Sequence, residues 1–318
     1  MVNLEAVRVA RLMIRLQVAS FQFGRGLSIM LFCLLPSTAF AVEIPQWWKD
    51  VHHYTADRQL YSYLTYSTAY FGPNALPVPE LYDGRIPKKH QVEVSVDAFW
   101  GFGDETQSIS SRLTYVPIPG KLSISCWSVL AEHYKTTTAV RDQRASIVES
   151  GEETLLIGDA CLSTLYSVFK EKRFCPDVNL EFVLKTASSK TPYGARYFDT
   201  PGYWFDVTAG KSFLLSGSFV REIRFVGLMG FLSYQMNSSF QNDAPLFGGK
   251  MVLFSKNASF ENGINGYSGW MDRGDSPLVL RSKLNFMHDR MKYFVQFQYA
   301  LRDYPYSRIQ TGVCFDLK

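Results

Sequence analysis

The chain has 318 residues, 47% of them hydrophobic, with 33 Lys plus Arg against 29 Asp plus Glu, and 24 Phe, 18 Tyr and 6 Trp. That composition excludes a disordered, collagen-like or coiled-coil chain, and no run of about 18 apolar residues past the N-terminus allows a bundle of membrane helices. A net charge of +4 is too small to argue for nucleic acid.

Residues 1–26 carry Arg8, Arg11, Arg15 and Arg25 against the single acid Glu5, followed by a short apolar run from Leu27 to Leu35 and by Ala39-Phe40-Ala41. A basic start, a short apolar core and Ala-x-Ala are the parts of a secretory leader, and the core is too short to cross a membrane. Cleavage is expected after Ala41, giving a mature chain from Val42. The leader holds four of the 33 bases and one of the 29 acids, so most of the net charge belongs to it. Export permits disulfides, and Cys161 with Cys175 flank one expected hairpin. Small buried or lipid-facing thiols are the alternative. The spacing of Cys126, Cys161, Cys175 and Cys314 fits no zinc template.

Residues 42–90 form a separate N-terminal segment. Pro73, Pro77, Pro79 and Pro87 forbid regular sheet there, because proline has no N–H for a ladder. A periplasmic extension and a plug inside a barrel are both open readings.

From residue 91 the sequence alternates with period two, as strands with two different faces do. Val92, Val94, Val96, Ala98 and Trp100 oppose Gln91, Glu93, Ser95 and Asp97. Tyr293, Val295, Phe297, Tyr299 and Leu301 oppose Gln296, Gln298 and Arg302. Twelve such runs are expected, at 91–102, 107–117, 121–133, 155–169, 177–188, 203–213, 222–236, 247–256, 259–270, 277–287, 292–302 and 307–317. The connections alternate too: one set is short, and the other includes the long segments 134–154 and 189–202. Long strands with short turns on one side and longer loops on the other predict an all-β fold, a transmembrane antiparallel up-and-down barrel of about twelve strands over 91–318. In a bilayer only helices and closed sheets satisfy their own backbone.

The final residues add a motif. Gln310, Gly312, Phe315 and Leu317 fit the polar–x–Gly–x–x–hydrophobic–x–hydrophobic ending of a closing strand. In this the sequence resembles the outer-membrane β-barrel proteins of Gram-negative bacteria, over 91–317 by pattern and over the last eight residues by motif. The resemblance implies an outer-membrane location, contact with membrane lipid and lipopolysaccharide, and delivery by the barrel-assembly machinery, which reads that ending.

If the apolar face meets lipid, the other face puts Glu93, Asp97, Arg112, Glu181, Lys185, Asp206, Arg224, Arg281, Lys283, Arg302 and Asp316 toward the lumen. Opposed charges there predict a porin-like passive channel for small polar solutes. A filled barrel with a structural or surface-interaction role is the alternative. An outer-membrane lipid hydrolase would need a serine beside His133, and no such pattern is present. No cofactor motif and no metal-ligand spacing appears. The acids of the loop 134–154, with Lys135, Arg141 and Arg144, are candidates for contact with lipopolysaccharide and its divalent cations, and a plain solvated surface is the alternative reading.

Overall fold

A computed structural model describes residues 43–189, 195–197, 200–216, 219–235, 241–271 and 273–317; the leader and its expected cleavage site at Ala39 and Ala41 lie outside the described residues. The alternating runs form strands β1 (Gln91–Gly101), β2 (Asp104–Ile118), β3 (Leu122–Thr136), β4 (Glu152–Leu156), β5 (Cys161–Phe169), β6 (Asp177–Lys185), β7 (Gly202–Leu214), β8 (Glu222–Gln235), β9 (Gln241–Phe254), β10 (Ala258–Tyr267), β11 (Leu278–His288), β12 (Met291–Arg302) and β13 (Ser307–Asp316). Neighbours pair antiparallel, and β1 pairs with both β2 and β13, so the sheet closes on itself. β4 and β5 share one place in the ring. β5 pairs with the first half of β3 and β4 with its second half, giving a closed twelve-strand barrel.

The expected strand at 155–169 is therefore two pieces. The amide of Gly158 crosses the break to the carbonyl of Val129 at 2.9 Å. Opposite it, the β2–β3 register slips between Ile109 and Ser110, skipping Leu130, the extra-residue geometry of a bulge. The weak alternation of 155–169 marks this break. β9 also starts six residues earlier than the apolar pattern suggests, at Gln241.

Alternation becomes two surfaces. Val96 is 50% exposed and its neighbour Asp97 2%, and the same contrast runs along β6, β7 and β12. The outside is thus apolar, with Leu180, Phe182, Phe205, Val207, Val295 and Phe297 uncovered. A continuous apolar exterior of that extent is stable only against lipid. Aromatic side chains stand outward at both rims: Tyr115, Tyr166, Phe213 and Tyr293 toward the short turns, Trp100, Tyr203 and Tyr299 toward the long loops. These are the positions of interfacial girdles.

Both ends of the barrel, Gln91 and Asp316, are paired with each other at the turn end. The segment ahead of β1 begins at the opposite, loop end. Helix α1 (Gln46–Val51) buries Trp48 completely, and the Trp48 indole donates to the Ala145 carbonyl at 3.0 Å. Ala145 lies in the β3–β4 loop, just after helix α2 (Thr138–Gln143), whose first turn is capped by the Thr137 hydroxyl. Residues 71–87 then run down the inside of the ring. Phe71, Leu76, Val78 and Leu81 are buried there in one apolar cluster with Trp204, Leu232, Tyr234 and Tyr304 of the barrel.

Candidate functional site

The lumen is occupied by a strap, residues 71–87, that turns once at 72–75 and is otherwise extended, and the wall is built to receive it. An extended chain without a ladder needs partners for its carbonyls. Seven of them have barrel side chains as donors: Phe71 (Tyr306, 2.7 Å), Pro73 (Tyr304, 3.0 Å), Pro77 (Tyr234, 2.6 Å), Val78 (Arg281, 2.8 Å), Pro79 (Arg281, 3.1 Å, and Asn265), Asp83 (Arg224, 2.7 Å) and Gly84 (Asn179, 2.5 Å). Midway, the Glu80 carboxylate accepts from Gln296 at 2.9 Å and Arg308 at 3.4 Å. At the turn end Arg85 pairs with Glu222, and the amide of Gly120 donates to the Pro87 carbonyl at 3.1 Å.

At the loop end a buried ionic latch closes over the strap. Arg196, from the β6–β7 loop, reaches Asp104 at 2.5 Å, Glu132 at 3.0 Å and the Thr106 hydroxyl at 2.5 Å. Arg144 meets the same Asp104 oxygen at 2.5 Å, and Tyr306 donates to it at 2.8 Å. Glu132 further accepts from Tyr197 at 2.7 Å and from Asn74 of the strap at 2.8 Å. Burial alone would weaken the Arg196 charge, but Glu132 and Asp104 outweigh it and hold the guanidinium above its ordinary pKa. Burial, with Glu132 beside it, pushes the Tyr197 phenol well up, so it stays a donor.

The backbone aims these arginines. Ala145 and Ala195, their chain neighbours, stand at φ 50° and 53°, a conformation that costs a non-glycine residue about 1–2 kcal/mol. In return the Ala145 carbonyl receives Trp48, and the Ala195 carbonyl receives the amide of Gly72 at 2.9 Å. Gly72 has to be small: a Cβ there would stand 2.7 Å from the Arg196 guanidinium carbon.

Around the ring the inward charges separate by sign. β1 to β7 carry Glu93, Asp97, Asp104, Glu132, Asp177, Glu181 and Asp206, with Arg112 and Lys185 as exceptions; β8 to β13 carry Arg224, Lys250, Arg281, Lys283, Lys292 and Arg308, with Glu222, Glu261 and Asp316 as exceptions. The arcs meet in ion pairs, Arg308 to Asp97 at 2.5 Å and Arg224 to Asp177 at 2.5 Å. A cavity of about 340 Å³ remains beside the strap, where Glu93, Arg112, Glu181, Lys283 and Lys292 face each other.

Of the charges expected in the lumen, Asp97, Glu181, Lys185, Asp206 and Arg224 are buried inside the ring, and Glu93, Arg112, Arg281 and Lys283 line the cavity. Lys185 is bound to Asp159 at 2.6 Å. Asp316 sits at the turn-end rim, bonded by Gln91 at 2.9 Å. Arg302 does not belong to the group. The β11–β12 register skips Leu301, and Arg302 is exposed, donating to the Ser276 carbonyl at 2.9 Å. Glu80, Asp104, Glu132, Arg196, Arg308 and the carbonyl-binding tyrosines join the site without having been singled out in the sequence. Arg308 lies on the inward parity of its strand, a signal that was available, whereas Glu132 has outward parity in the sequence and is turned inward by the bulge at Leu130. Arg196 and Glu80 lie outside any strand and carry no such signal.

His133 stands beside Thr154, Nδ1 to Oγ1 at 2.9 Å, and its other ring nitrogen is 3.8 Å from Glu152. Its hydroxyl neighbour is a threonine on the adjacent strand, not a serine. Cys161 is buried in the wall and Cys175 exposed in the β5–β6 turn, and they form no disulfide. Gly312 has a packing reason of its own: a Cβ would meet the Phe294 ring at 2.6 Å and the Val94 carbonyl at 2.7 Å.

No protein family and no curated protein matches the chain in sequence. In structure it is similar to an outer membrane channel from Pseudomonas putida F1, with 12% identity over 75% of this chain and 100% of that one and a TM-score of 0.51. It is also similar to the KdgM porin (10% identity, 71% of this chain and 99% of that one, TM-score 0.42) and to the NanC porin (10%, 71% and 100%, 0.45). The likeness is one of fold: the chain is a closed antiparallel β-barrel of the kind those proteins share.

Proposed function

We propose that the protein is an outer-membrane channel for small polar solutes that its own N-terminal strap holds shut. One observation carries this reading. The strap is bound along its length through its carbonyls, while a charged cavity still runs beside it. A strap held by hydrogen bonds and ion pairs can be exchanged for water, unlike a covalently continuous wall. The path that its withdrawal clears is flanked by an acidic arc and a basic arc, which suits solutes rich in polar groups. The fold shared with the Pseudomonas putida channel supports the reading at the level of architecture. On the same reading Gln310, Gly312, Phe315 and Leu317 serve as the assembly signal, and lipopolysaccharide meets the loop 134–154.

Planar-bilayer recording tests it. Wild-type protein is expected to stay closed with rare openings. A variant carrying Tyr234→Phe, Arg281→Met and Tyr304→Phe, which lacks the central strap donors, is expected to give discrete current steps. Absence of steps from the folded variant supports the structural-barrel reading instead. Steady wild-type current equal to that of the variant removes the strap as the gate.

A further inference from the structure

We propose that the N-terminal cap, residues 43–70, is displayed on the outer face of the membrane, and that the lumen acts as a binding site for the extended polypeptide that crosses to it. The proposal rests on the barrel spanning the outer membrane but not on its conducting.

The chain's path dictates the sidedness. β1 begins at the turn end, where Gln91 pairs with Asp316. The cap is at the other end on three separate contacts: Trp48 with Ala145, the Arg141 guanidinium 4.3 Å over the Trp47 ring, and Thr68 with the carbonyls of Gly274 and Asp303. All four loop partners sit in connections of the long-loop set. Between cap and β1 the strap meets wall residues in order of depth, from Tyr306 through Arg281 to Arg224 and then Glu222. After a turn at 72–75, where the Ala75 amide donates to the Gly72 carbonyl at 3.1 Å, residues 76–87, extended at about 3.1 Å per residue, reach about 37 Å, more than the roughly 30 Å of a bilayer core. The strap is therefore long enough to run from one rim to the other.

Barrels of this kind place short turns in the periplasm and longer loops outside. The connections 137–151 and 186–201 are in the cap's set, and the tight turns 119–121, 255–257 and 289–290 are in the opposite set. The cap thus lies with the outer loops, while both termini of the barrel proper face the periplasm. The recognition is of backbone more than of side chains: the wall's donors address seven strap carbonyls, while Asn74, Glu80 and Arg85 are held by their own side chains. The ligand class is an extended, proline-rich peptide, and a segment joined ahead of Glu43 would be carried out with the cap.

Two exposed positions report the two faces. Asp57 is exposed in the cap and Cys175 in the β5–β6 turn. Cells expressing the protein are treated with a maleimide coupled to a polyethylene glycol too large to pass the outer membrane. Labelling is scored only on the heat-modifiable, folded band. An Asp57→Cys protein that also carries Cys33→Ser and Cys175→Ser is expected to label equally in intact and permeabilised cells. Wild-type Cys175 is expected to gain at least tenfold on permeabilisation. Labelling of the Asp57→Cys protein only after permeabilisation overturns the proposal, as does labelling of Cys175 on intact cells. Neither result bears on conductance, so the channel reading stands or falls separately.

Discussion

Truncating Arg196 to alanine tests the loop-end latch most directly. The side chain is 1% exposed and faces two carboxylates, Asp104 at 2.5 Å and Glu132 at 3.0 Å, with the Tyr134 ring 4.2 Å from its guanidinium carbon. After truncation Asp104 keeps Arg144 and Tyr306, but among the described residues Glu132 keeps only the neutral donors Tyr197 and Asn74. Leaving one member of a buried pair uncompensated costs about 3–5 kcal/mol, roughly a hundredfold or more in the folding equilibrium. The assay is urea unfolding of protein refolded into lipid vesicles, followed by tryptophan fluorescence and by heat-modifiable mobility. Adding Glu132→Gln removes the stranded charge, so the double variant is expected to recover about 2 kcal/mol relative to the sum of the single losses. A loss below about 1 kcal/mol for Arg196→Ala, or strict additivity in the double, would refute the claim that the latch is a dry ion-pair network.

Other expectations follow from the same geometry. Gly312→Ala forces a methyl group against the Phe294 ring and the Val94 carbonyl, and is expected to cost about 1–3 kcal/mol, read as a lower temperature of heat modification; an unchanged transition denies the close approach. Pro79→Ala adds an N–H to a buried strap with no ladder to receive it, expected at about 1–3 kcal/mol in the same urea assay, whereas a neutral effect means that water or the wall already supplies an acceptor. Glu171, in the β5–β6 turn, is held below its ordinary pKa: partial burial works the other way, but the Ser212 amide and hydroxyl and Lys211 outweigh it. A depressed carboxylate contributes stability above its unfolded pKa and loses it as pH falls through the folded value, so Glu171→Gln should flatten stability against pH below about 4.5, and an identical acid profile counts against the contact. In the strap-released variant, Lys283→Glu with Lys292→Glu inverts part of the basic arc and should shift the reversal potential toward cations; an unshifted potential removes these lysines from the ion path.

The barrel was legible because its lipid-facing period is two. Every strand in the ring except β4 began as an alternating run, weakly so at 155–169, and outward residues such as Val96 and Phe297 kept the parity that the sequence gives them. What escaped the pattern is what tertiary contact decides. The break at 157–160 follows from a bulge in β3, whose effect is felt on a partner strand. Arg302 has inward parity in the sequence, but the extra residue at Leu301 turns it to the rim. The strap's course could not be read at all. Its prolines exclude a ladder, yet its partners are Tyr234, Arg281 and Tyr306, some 150 to 235 positions away along the chain. No local period records a bond between a carbonyl and so distant a side chain.

The strap and the wall also explain each other's composition. A chain passing through a barrel without pairing presents two kinds of polar group, and both must be met in a space that holds little water. Proline removes the donor at Pro73, Pro77, Pro79 and Pro87, so backbone acceptors outnumber donors along the strap. The wall correspondingly offers donors: phenols, guanidinium groups and carboxamides, aimed at successive carbonyls. The same side chains would line the lumen if the strap withdrew, and arginines 224, 281 and 308 would then each lose a strap acceptor while keeping their wall partners Asp177, Gln298 and Asp97. Water must replace those bonds for the path to clear. Closing and opening therefore differ less in the shape of the barrel than in which oxygen atoms, the strap's or the solvent's, satisfy one fixed set of donors.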